Sequence, residues 1–127
     1  MRIAMIGGGY VGLVSAACFA DLGTEVAIVE TDPERLHMLR EGRMPIYEPG
    51  LERRVADCQD ALDAAGGADA LIVVTEWNEF RALSPARLCQ AMRGRMVVDL
   101  RNVFDPSAMR RAGLAYQGVG RTGNVAA

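Results

Sequence analysis

The sequence predicts an α/β fold, a single domain with a doubly wound, mainly parallel sheet of about five strands. Three observations support this prediction. The chain has 127 residues, half of them hydrophobic, which is the size and balance of one globular domain. Short apolar runs alternate with segments of helical periodicity, and such alternation favours parallel pairing through right-handed crossovers. A glycine-rich turn separates the first predicted strand from the first predicted helix.

The predicted strands are short apolar runs bounded by glycine, proline or polar residues. They cover residues 2–6, 25–29, 70–74, 96–100 and 114–119. The third run, from Ala70 to Val74, is apolar throughout, which is typical of a strand that is buried on both faces. One hypothesis places it beside the first strand.

The predicted helices either have apolar residues at helical spacing or follow a capping residue and a proline. They cover residues 10–22, 33–41, 51–65, 85–92 and 106–113. Pro33, Pro85 and Pro106 each stand at a first helical position, preceded by an Asp or Ser that can cap the helix. Residues 42–50 contain two prolines and two glycines, which predicts a turn-rich connection. Residues 121–127 are predicted to be a frayed tail.

Composition excludes several classes of protein. The net charge is −2 and no basic block is present, so we expect no nucleic-acid partner, because phosphate neutralisation needs clustered positive charge. No apolar run approaches the roughly 18 residues of a membrane span. Cys18, Cys58 and Cys89 lack CxxC spacing and are interpreted as reduced thiols in helical segments of a cytoplasmic protein without a signal peptide.

An acidic repeat lies in the predicted helix 51–65. Asp57, Asp60 and Asp63 recur at three-residue spacing, which we interpret as a solvated stripe rather than a metal-binding face. We therefore predict no metal site.

Gly7, Gly9 and Gly12 form the motif G-x-G-x-x-G between a predicted strand and a predicted helix. In a dinucleotide-binding βαβ unit, these glycines allow a tight turn, close approach of a pyrophosphate, and close packing of helix on strand. The phosphates then contact backbone amides at the positive end of the helix dipole. The motif therefore predicts a Rossmann-like domain, with candidate cofactor-binding residues Gly7, Gly8, Gly9, Tyr10, Val11 and Gly12.

Two further candidates follow the second predicted strand. Glu30 ends that strand about 20 residues after the glycine turn, where an acid accepts hydrogen bonds from the adenosine ribose. A carboxylate there repels a 2′-phosphate, which favours NAD over NADP. Arg35 lies one helical turn further on, where it can stack on adenine or tolerate a phosphate. The alternative is that both residues only form the solvated start of a helix.

Two parts of the chain resemble the UDP-glucose/GDP-mannose dehydrogenase family. Residues 1–52 carry I-G-G-G-Y-V-G-L, V-E-T-D and P-I-Y-E-P-G-L-E and are similar to the NAD-binding start of these enzymes. Residues 55–121 carry G-A-D-A-L-I-V-V-T-E-W-N-E-F, V-V-D-L-R-N and Y-Q-G-V-G-R and are similar to their C-terminal nucleotide-sugar domain. We interpret residues 1–120 as one Rossmann-like domain whose two parts join near residues 53–55.

The resemblance implies a cofactor, a substrate class and a reaction. NAD would bind at Gly7–Gly12, Glu30 and Arg35, and the reaction would be oxidation of UDP-glucose to UDP-glucuronate. Arg101, in D-L-R-N, matches the family arginine that contacts the nucleotide sugar, so a UDP-sugar is a candidate partner.

The resemblance does not extend to the catalytic residues. Family members use a cysteine-bound thiohemiacetal and a lysine. The segment that carries this cysteine has no counterpart here, and all 14 basic residues are arginine. We therefore assign no catalytic residue.

Three hypotheses follow. The chain is an NAD-binding domain with little or no turnover of its own. Alternatively, it is a residual dehydrogenase that acts as an oligomer or uses a thiol such as Cys58. The third hypothesis is a deletion remnant or engineered scaffold whose glycine turn binds nothing and which is stabilised as a homo-oligomer.

Overall fold

The computed structural model describes residues 1–7, 9–41, 55–58, 60–76 and 78–121. In this part of the chain, six parallel strands form one sheet in the order β3-β2-β1-β4-β5-β6. The strands are β1 (Arg2–Ile6), β2 (Glu25–Val29), β3 (Val55–Cys58), β4 (Ala70–Val73), β5 (Met96–Asp99) and β6 (Ala115–Gly118). The helices are α1 (Tyr10–Asp21), α2 (Pro33–Arg40), α3 (Ala61–Ala65), α4 (Asn78–Arg81), α5 (Pro85–Ala91) and α6 (Pro106–Arg111).

The predicted fold class is confirmed, but the sheet has one strand more than the five we listed. The predicted helix over residues 51–65 is wrong in its middle. Val55–Cys58 pairs with β2 in the register Val26↔Val55, and the helix is limited to Ala61–Ala65. Asp60 fixes this start, because its side chain accepts a hydrogen bond of 2.7 Å from the Asp63 amide, as an N-cap does.

This correction changes the interpretation of the residues around β3. Cys58 lies in a strand and not in a helix. Asp57 also lies in β3, whereas Asp60 caps α3 and Asp63 lies inside it. The three aspartates therefore do not form a stripe along one helix. The predicted connection over residues 42–50 lies outside the described residues.

The hypothesis that β4 stands beside β1 is confirmed. The two strands pair from Ile3↔Ala70 to Ile6↔Val73. With β2 on the other side of β1, the strand order changes direction between β1 and β4. This is the arrangement of a doubly wound nucleotide-binding sheet, in which ligands bind beyond the carboxyl ends of the strands at the change of direction.

The sheet separates two apolar clusters. On one face, Leu13 and Ala16 of α1 pack against Met5 and Ile28. On the other face, a larger cluster contains residues of α3, α5 and α6 with alternate residues of the strands, among them Ile6, Val29, Val73, Ala64, Leu88 and Met109. The connections that leave β1 and β4 run to opposite faces, to α1 and toward α5, so a crevice opens between them at the carboxyl edge.

The C-terminal part of the sheet is held by one buried carboxylate. Asp99 is completely buried at the end of β5. Its two oxygens accept hydrogen bonds from the Arg101 amide (3.1 Å), the Phe104 amide (2.9 Å) and the Tyr116 hydroxyl (2.8 Å). This network ties the loop after β5 to β6.

Of the predicted tail, residues 121–127, only Arg121 lies in the described part of the chain. Arg121 donates a hydrogen bond of 3.0 Å from Nη1 to the Phe104 carbonyl oxygen. Residues 122–127 lie outside the described part of the chain. Among the described residues, no helix is long and apolar enough to span a membrane. Helix α1, for example, has 12 residues.

Candidate nucleotide-binding site

A cleft of about 200 Å³ opens beyond the carboxyl ends of β2, β1 and β4. Every candidate cofactor-binding residue that the structure describes lines it, and Gly8 lies outside the described residues. The lining residues are Gly7, Gly9, Tyr10, Val11, Gly12, Val29, Glu30, Thr31, Arg35, Val74, Thr75 and Phe80. The structure therefore brings the glycine turn and the Glu30–Arg35 pair into one site.

The glycine turn is built by backbone contacts that other residues would not allow. Gly7 has a φ of +119°, and its amide donates a hydrogen bond of 3.0 Å to the Val29 carbonyl oxygen. A Cβ at Gly7 would stand 2.9 Å from Val74 Cγ2 and 3.1 Å from Thr75 Cβ. The turn is thus packed between β2 and the residues that follow β4.

Gly12 and Gly9 are required for different reasons. A Cβ on Gly12 would overlap the carbonyl oxygen of Gly7, so the first turn of α1 needs this glycine in order to pack on the loop. A Cβ on Gly9 would approach only Arg35 Nη1, at 3.6 Å. The protein itself leaves the space at Gly9 open, which is what the approach of a pyrophosphate requires.

The N-terminus of α1 faces this space. Gly9 is its N-cap, with extended backbone (φ −73°, ψ −172°) and no side-chain hydrogen bond to the cap. The amides of a first helical turn have no acceptors within the helix, and the helix dipole adds positive potential at this end. The twelve residues of α1 therefore present a binding site for an anion without using a basic side chain.

Glu30 is 5% exposed and uses its two carboxylate oxygens differently. Oε1 accepts hydrogen bonds from the amides of Thr31 (2.8 Å) and Asp32 (2.9 Å). Oε2 is buried without a hydrogen-bond partner, and its contact with Arg35 Nη1 is a long ion pair of 3.9 Å. Leaving a buried charged oxygen unsatisfied is costly, and a pair of ribose hydroxyls would supply the missing donors.

Arg35 stands between Glu30 and the glycine turn. Asp32 caps α2 by accepting hydrogen bonds from the amides of Glu34 (2.9 Å) and Arg35 (3.3 Å), which fixes the first turn of the helix. The Arg35 side chain is 45% exposed and lines the cleft. Its guanidinium can therefore contact a ligand in the cleft while Nη1 stays near the Glu30 carboxylate.

Several lining residues were missed by sequence reasoning. Thr31 follows Glu30 and has a buried hydroxyl oxygen without a hydrogen-bond partner. Val74, Thr75 and Phe80 also line the cleft. The usable signal was position, because Thr31 follows the Glu30 that ends the second predicted strand, and Val74 is the last residue of the third. Phe80 lies on α4, a short helix that the sequence analysis did not predict.

Arg101 does not line this cleft. It follows β5, where its Nη2 forms an ion pair of 3.0 Å with Glu76 Oε2. Glu76 in turn follows Thr75 after β4, and Trp77 lies outside the described residues. The predicted UDP-sugar contact is therefore a guanidinium already paired with a carboxylate, one strand away from the cleft. Among the described residues, no group of three His, Cys, Asp or Glu side chains could hold a metal ion.

The parallel sheet with its change of strand direction, the glycine turn and the acid after β2 define a dinucleotide-binding protein of the Rossmann class. Residues 1–70 match the sequence model of the UDP-glucose/GDP-mannose dehydrogenase family, NAD binding domain. The chain belongs to this family, and NAD is the cofactor of the domain that it matches.

Individual relatives agree with this assignment. UDP-glucose 6-dehydrogenase of Pseudomonas aeruginosa is 54% identical over 80 residues, which is 58% of this chain and 18% of the relative. The enzyme of that name from Rhizobium meliloti is 54% identical over 56 residues, which is 44% of this chain and 13% of the relative. The matched part is thus less than a fifth of either relative.

Solved structures of the family share the fold. A UDP-glucose dehydrogenase from Pyrobaculum islandicum matches with a TM-score of 0.66 and 27% identity over 92% of this chain and 34% of the solved chain. A GDP-mannose dehydrogenase from Pseudomonas aeruginosa matches with a TM-score of 0.66 over 93% of this chain and 35% of the solved chain, at 22% identity, and therefore supports the fold alone.

Proposed function

We propose that this chain binds NAD in the cleft at the carboxyl ends of β2, β1 and β4, with little or no turnover of its own. The observation that carries the proposal is the buried Oε2 of Glu30, which has no hydrogen-bond partner in a cleft that also contains a glycine turn and a helix N-terminus. When bound, NAD supplies a nicotinamide ring that can accept a hydride.

Each part of the adenosine diphosphate half has a partner in this arrangement. Glu30 accepts hydrogen bonds from the adenosine ribose hydroxyls through Oε2. The pyrophosphate lies over Gly9 on the amides of the first turn of α1. Arg35 contacts the adenosine side, where its planar guanidinium can stack on the base.

The same geometry favours NAD over NADP. A 2′-phosphate would lie against the Glu30 carboxylate, which is buried and cannot be screened well by solvent. Arg35, about 4 Å from Glu30 at its closest nitrogen, reduces this repulsion but does not remove it. We therefore expect NADP to bind more weakly than NAD.

Low turnover follows from the side chains that the sequence provides. The chain contains no lysine, and of the two cysteines whose side chains are described, neither Cys18 nor Cys89 lines the cleft. A residual dehydrogenase would need a thiol beside the nicotinamide and a neighbouring cation to lower its pKa. We propose that the part of the family that supplies these groups has no counterpart in this chain. A cytoplasmic location and self-association stay predictions.

A UDP-sugar is the second candidate ligand, because Arg101 matches the family position in sequence. The ion pair argues against it. A diphosphate at Arg101 would approach a carboxylate whose oxygen lies 3.0 Å from the same guanidinium, and like charges repel.

The direct test is calorimetric titration of the purified chain and its Gly9→Ala variant with NAD. The added methyl group has room in the free protein but occupies the space of the pyrophosphate. We expect the wild type to bind NAD, and the variant to keep its fold by circular dichroism and lose most of its affinity. A wild type that gives no NAD binding, or a Gly9→Ala variant with unchanged affinity, would contradict the proposal. Reduction of NAD in the presence of UDP-glucose would contradict the low turnover.

A further inference from the structure

Strand β5 lies beside β4, one strand beyond the cleft. A dinucleotide on this type of sheet crosses the change of strand direction, with its second nucleotide beyond the strands on the other side. Here those strands are β4 and β5, which pair from Ala70↔Met96 to Val73↔Asp99. Neighbouring strands are about 4.8 Å apart, so the end of β5 stands roughly 14 Å from the end of β2 and its Glu30.

One charged pair lies beyond the carboxyl ends of β4 and β5. Glu76 follows Thr75, which lines the cleft, and Arg101 follows β5. Their contact joins Glu76 Oε2 to Arg101 Nη2 at 3.0 Å, with the side chains 64% and 48% exposed. Within the described residues, this contact leaves Glu76 Oε1 and two guanidinium nitrogens of Arg101 for a ligand.

The backbone on both sides of the pair is held in place. The Arg101 amide donates a hydrogen bond of 3.1 Å to the completely buried Asp99, and Leu100 donates its amide to the Val73 carbonyl oxygen at 2.9 Å. On the β4 side, Thr75 packs against Gly7, whose missing side chain leaves room for the threonine. The backbone that carries the pair is thus held in place at the ends of β4 and β5.

We propose that the Glu76–Arg101 pair recognises the carboxamide of the nicotinamide, an inference that rests on the proposed function. A carboxamide has an NH₂ donor and a carbonyl acceptor. Glu76 accepts a hydrogen bond from the NH₂ group, and Arg101 donates one to the carbonyl oxygen. A ligand with a carboxylate in this position offers only acceptors, so Glu76 repels it and Arg101 alone binds it.

The experiment compares three ligands by calorimetry: NAD, nicotinic acid adenine dinucleotide, which has a carboxylate in place of the carboxamide, and ADP-ribose, which has no nicotinamide. The variants are Glu76→Gln and Arg101→Gln. Glu25→Gln is the matched control, because Glu25 also forms an exposed pair with an arginine, Arg2, at 3.7 Å, but at the opposite edge of the sheet.

We expect the two variants to shift the ratio of the affinity for NAD to the affinity for nicotinic acid adenine dinucleotide in opposite directions. Glu76→Gln removes the repulsion and lowers the preference for NAD by about tenfold, and Arg101→Gln removes the attraction for a carboxylate and raises that preference by about tenfold. ADP-ribose affinity stays within roughly twofold in all variants, and Glu25→Gln changes nothing. A merely structural role would change both dinucleotide affinities alike and leave their ratio unchanged.

Two results would overturn this inference but not the proposed function. In the first, the wild type binds ADP-ribose and NAD, but both variants keep the wild-type ratio of NAD to nicotinic acid adenine dinucleotide affinity. In the second, Glu76→Gln weakens the binding of ADP-ribose as much as that of NAD. Absence of binding by both ADP-ribose and NAD overturns the proposed function together with this inference. UDP-glucose binding that is strengthened by Glu76→Gln and abolished by Arg101→Gln would assign the pair to a nucleotide sugar and contradict it.

Discussion

Glu30 shows how far a single residue can be predicted from sequence. Its distance from the glycine turn and its place after a β-strand predict a ribose acceptor, and the structure places it in the cleft. The sequence does not reveal that two backbone amides occupy Oε1 while Oε2 has no hydrogen-bond partner. That division depends on how the chain turns after β2.

Replacing Glu30 by Gln tests this acceptor. Gln keeps the shape but removes the charge and one of the acceptors facing the ribose, so we expect NAD affinity to fall about 10- to 100-fold, as for a hydrogen bond to a charged group. NADP affinity falls less or rises, because its phosphate no longer meets a carboxylate. Calorimetry measures both values.

Glu34→Gln is the matched control. Glu34 is an exposed acid on α2 that does not line the cleft. We expect its affinities for NAD and NADP to match those of the wild type. Equal losses of NAD affinity in the two variants would mean that general charge, and not the Oε2 contact, is responsible.

At the scale of elements, most strands and helices follow local signals, but the strand β3 and the short helix α4 do not. Pro85 after Ser84 and Pro106 after Asp105 predict helix starts, and the Ser84 and Asp105 side chains do cap α5 and α6. The residues of β3 belong to the segment 51–65, which the sequence predicts to be helical. They form a strand because their backbone pairs with β2, and such a long-range interaction overrides local propensity.

The packing of α1 on the glycine turn depends on Gly12. In Gly12→Ala, the new methyl group overlaps the Gly7 carbonyl oxygen, so helix and loop must separate. We expect a loss of about 1–3 kcal/mol of unfolding free energy, measured by urea denaturation, together with weaker NAD binding. Gly9→Ala, which has room for its methyl group, should lose less than about 1 kcal/mol. Equal stability of Gly12→Ala and wild type would refute the close packing.

The loop between β5 and α6 is held by the bond from Tyr116 to Asp99. Tyr116→Phe removes a donor from a completely buried carboxylate, so we expect a loss of about 1–3 kcal/mol near neutral pH. The two remaining amide donors keep the variant folded. An unchanged unfolding free energy would show that the hydroxyl contributes nothing.

The same bond produces a pH dependence. Burial and the neighbouring Asp99 raise the pKa of Tyr116 to about 12, whereas the unfolded value is about 10. The folded protein therefore retains a proton that the unfolded chain releases, and the stabilisation is complete below about pH 10 and is lost between about pH 10 and 12. We expect the unfolding free energy of the wild type to fall more steeply in this range than that of Tyr116→Phe. Parallel curves would contradict this assignment.

At the scale of the whole molecule, the described parts of residues 1–52 and 55–121, which we predicted to resemble different parts of one family, form a single sheet. The register of β1 with β4 joins them, and Gly7 packs against Val74 and Thr75 across this boundary. The sequence predicted the alternation of strands and helices and the place of β4, because these depend on apolar runs and topology. It did not predict the Glu76–Arg101 pair, because the pair depends on the relative positions of two strand ends.

We therefore expect the chain to unfold as one cooperative unit that NAD stabilises. At a free NAD concentration about 100 times the dissociation constant, the gain is about 2.7 kcal/mol, which corresponds to a rise in Tm of roughly 10 °C for a domain of this size. Differential scanning calorimetry measures both the shape of the unfolding transition and the change in Tm on addition of NAD. Two separate transitions, with NAD moving only one of them, would mean that the two regions do not form one cooperative sheet.

The most direct test of the central claim is the ratio of NAD to NADP affinity of the wild-type chain, measured by calorimetric titration under identical conditions. The geometry of Glu30, Arg35 and the glycine turn predicts one NAD site per chain and binding of NADP that is at least about tenfold weaker. Absence of NAD binding, or binding of NADP as tight as that of NAD, would contradict the assignment of this cleft.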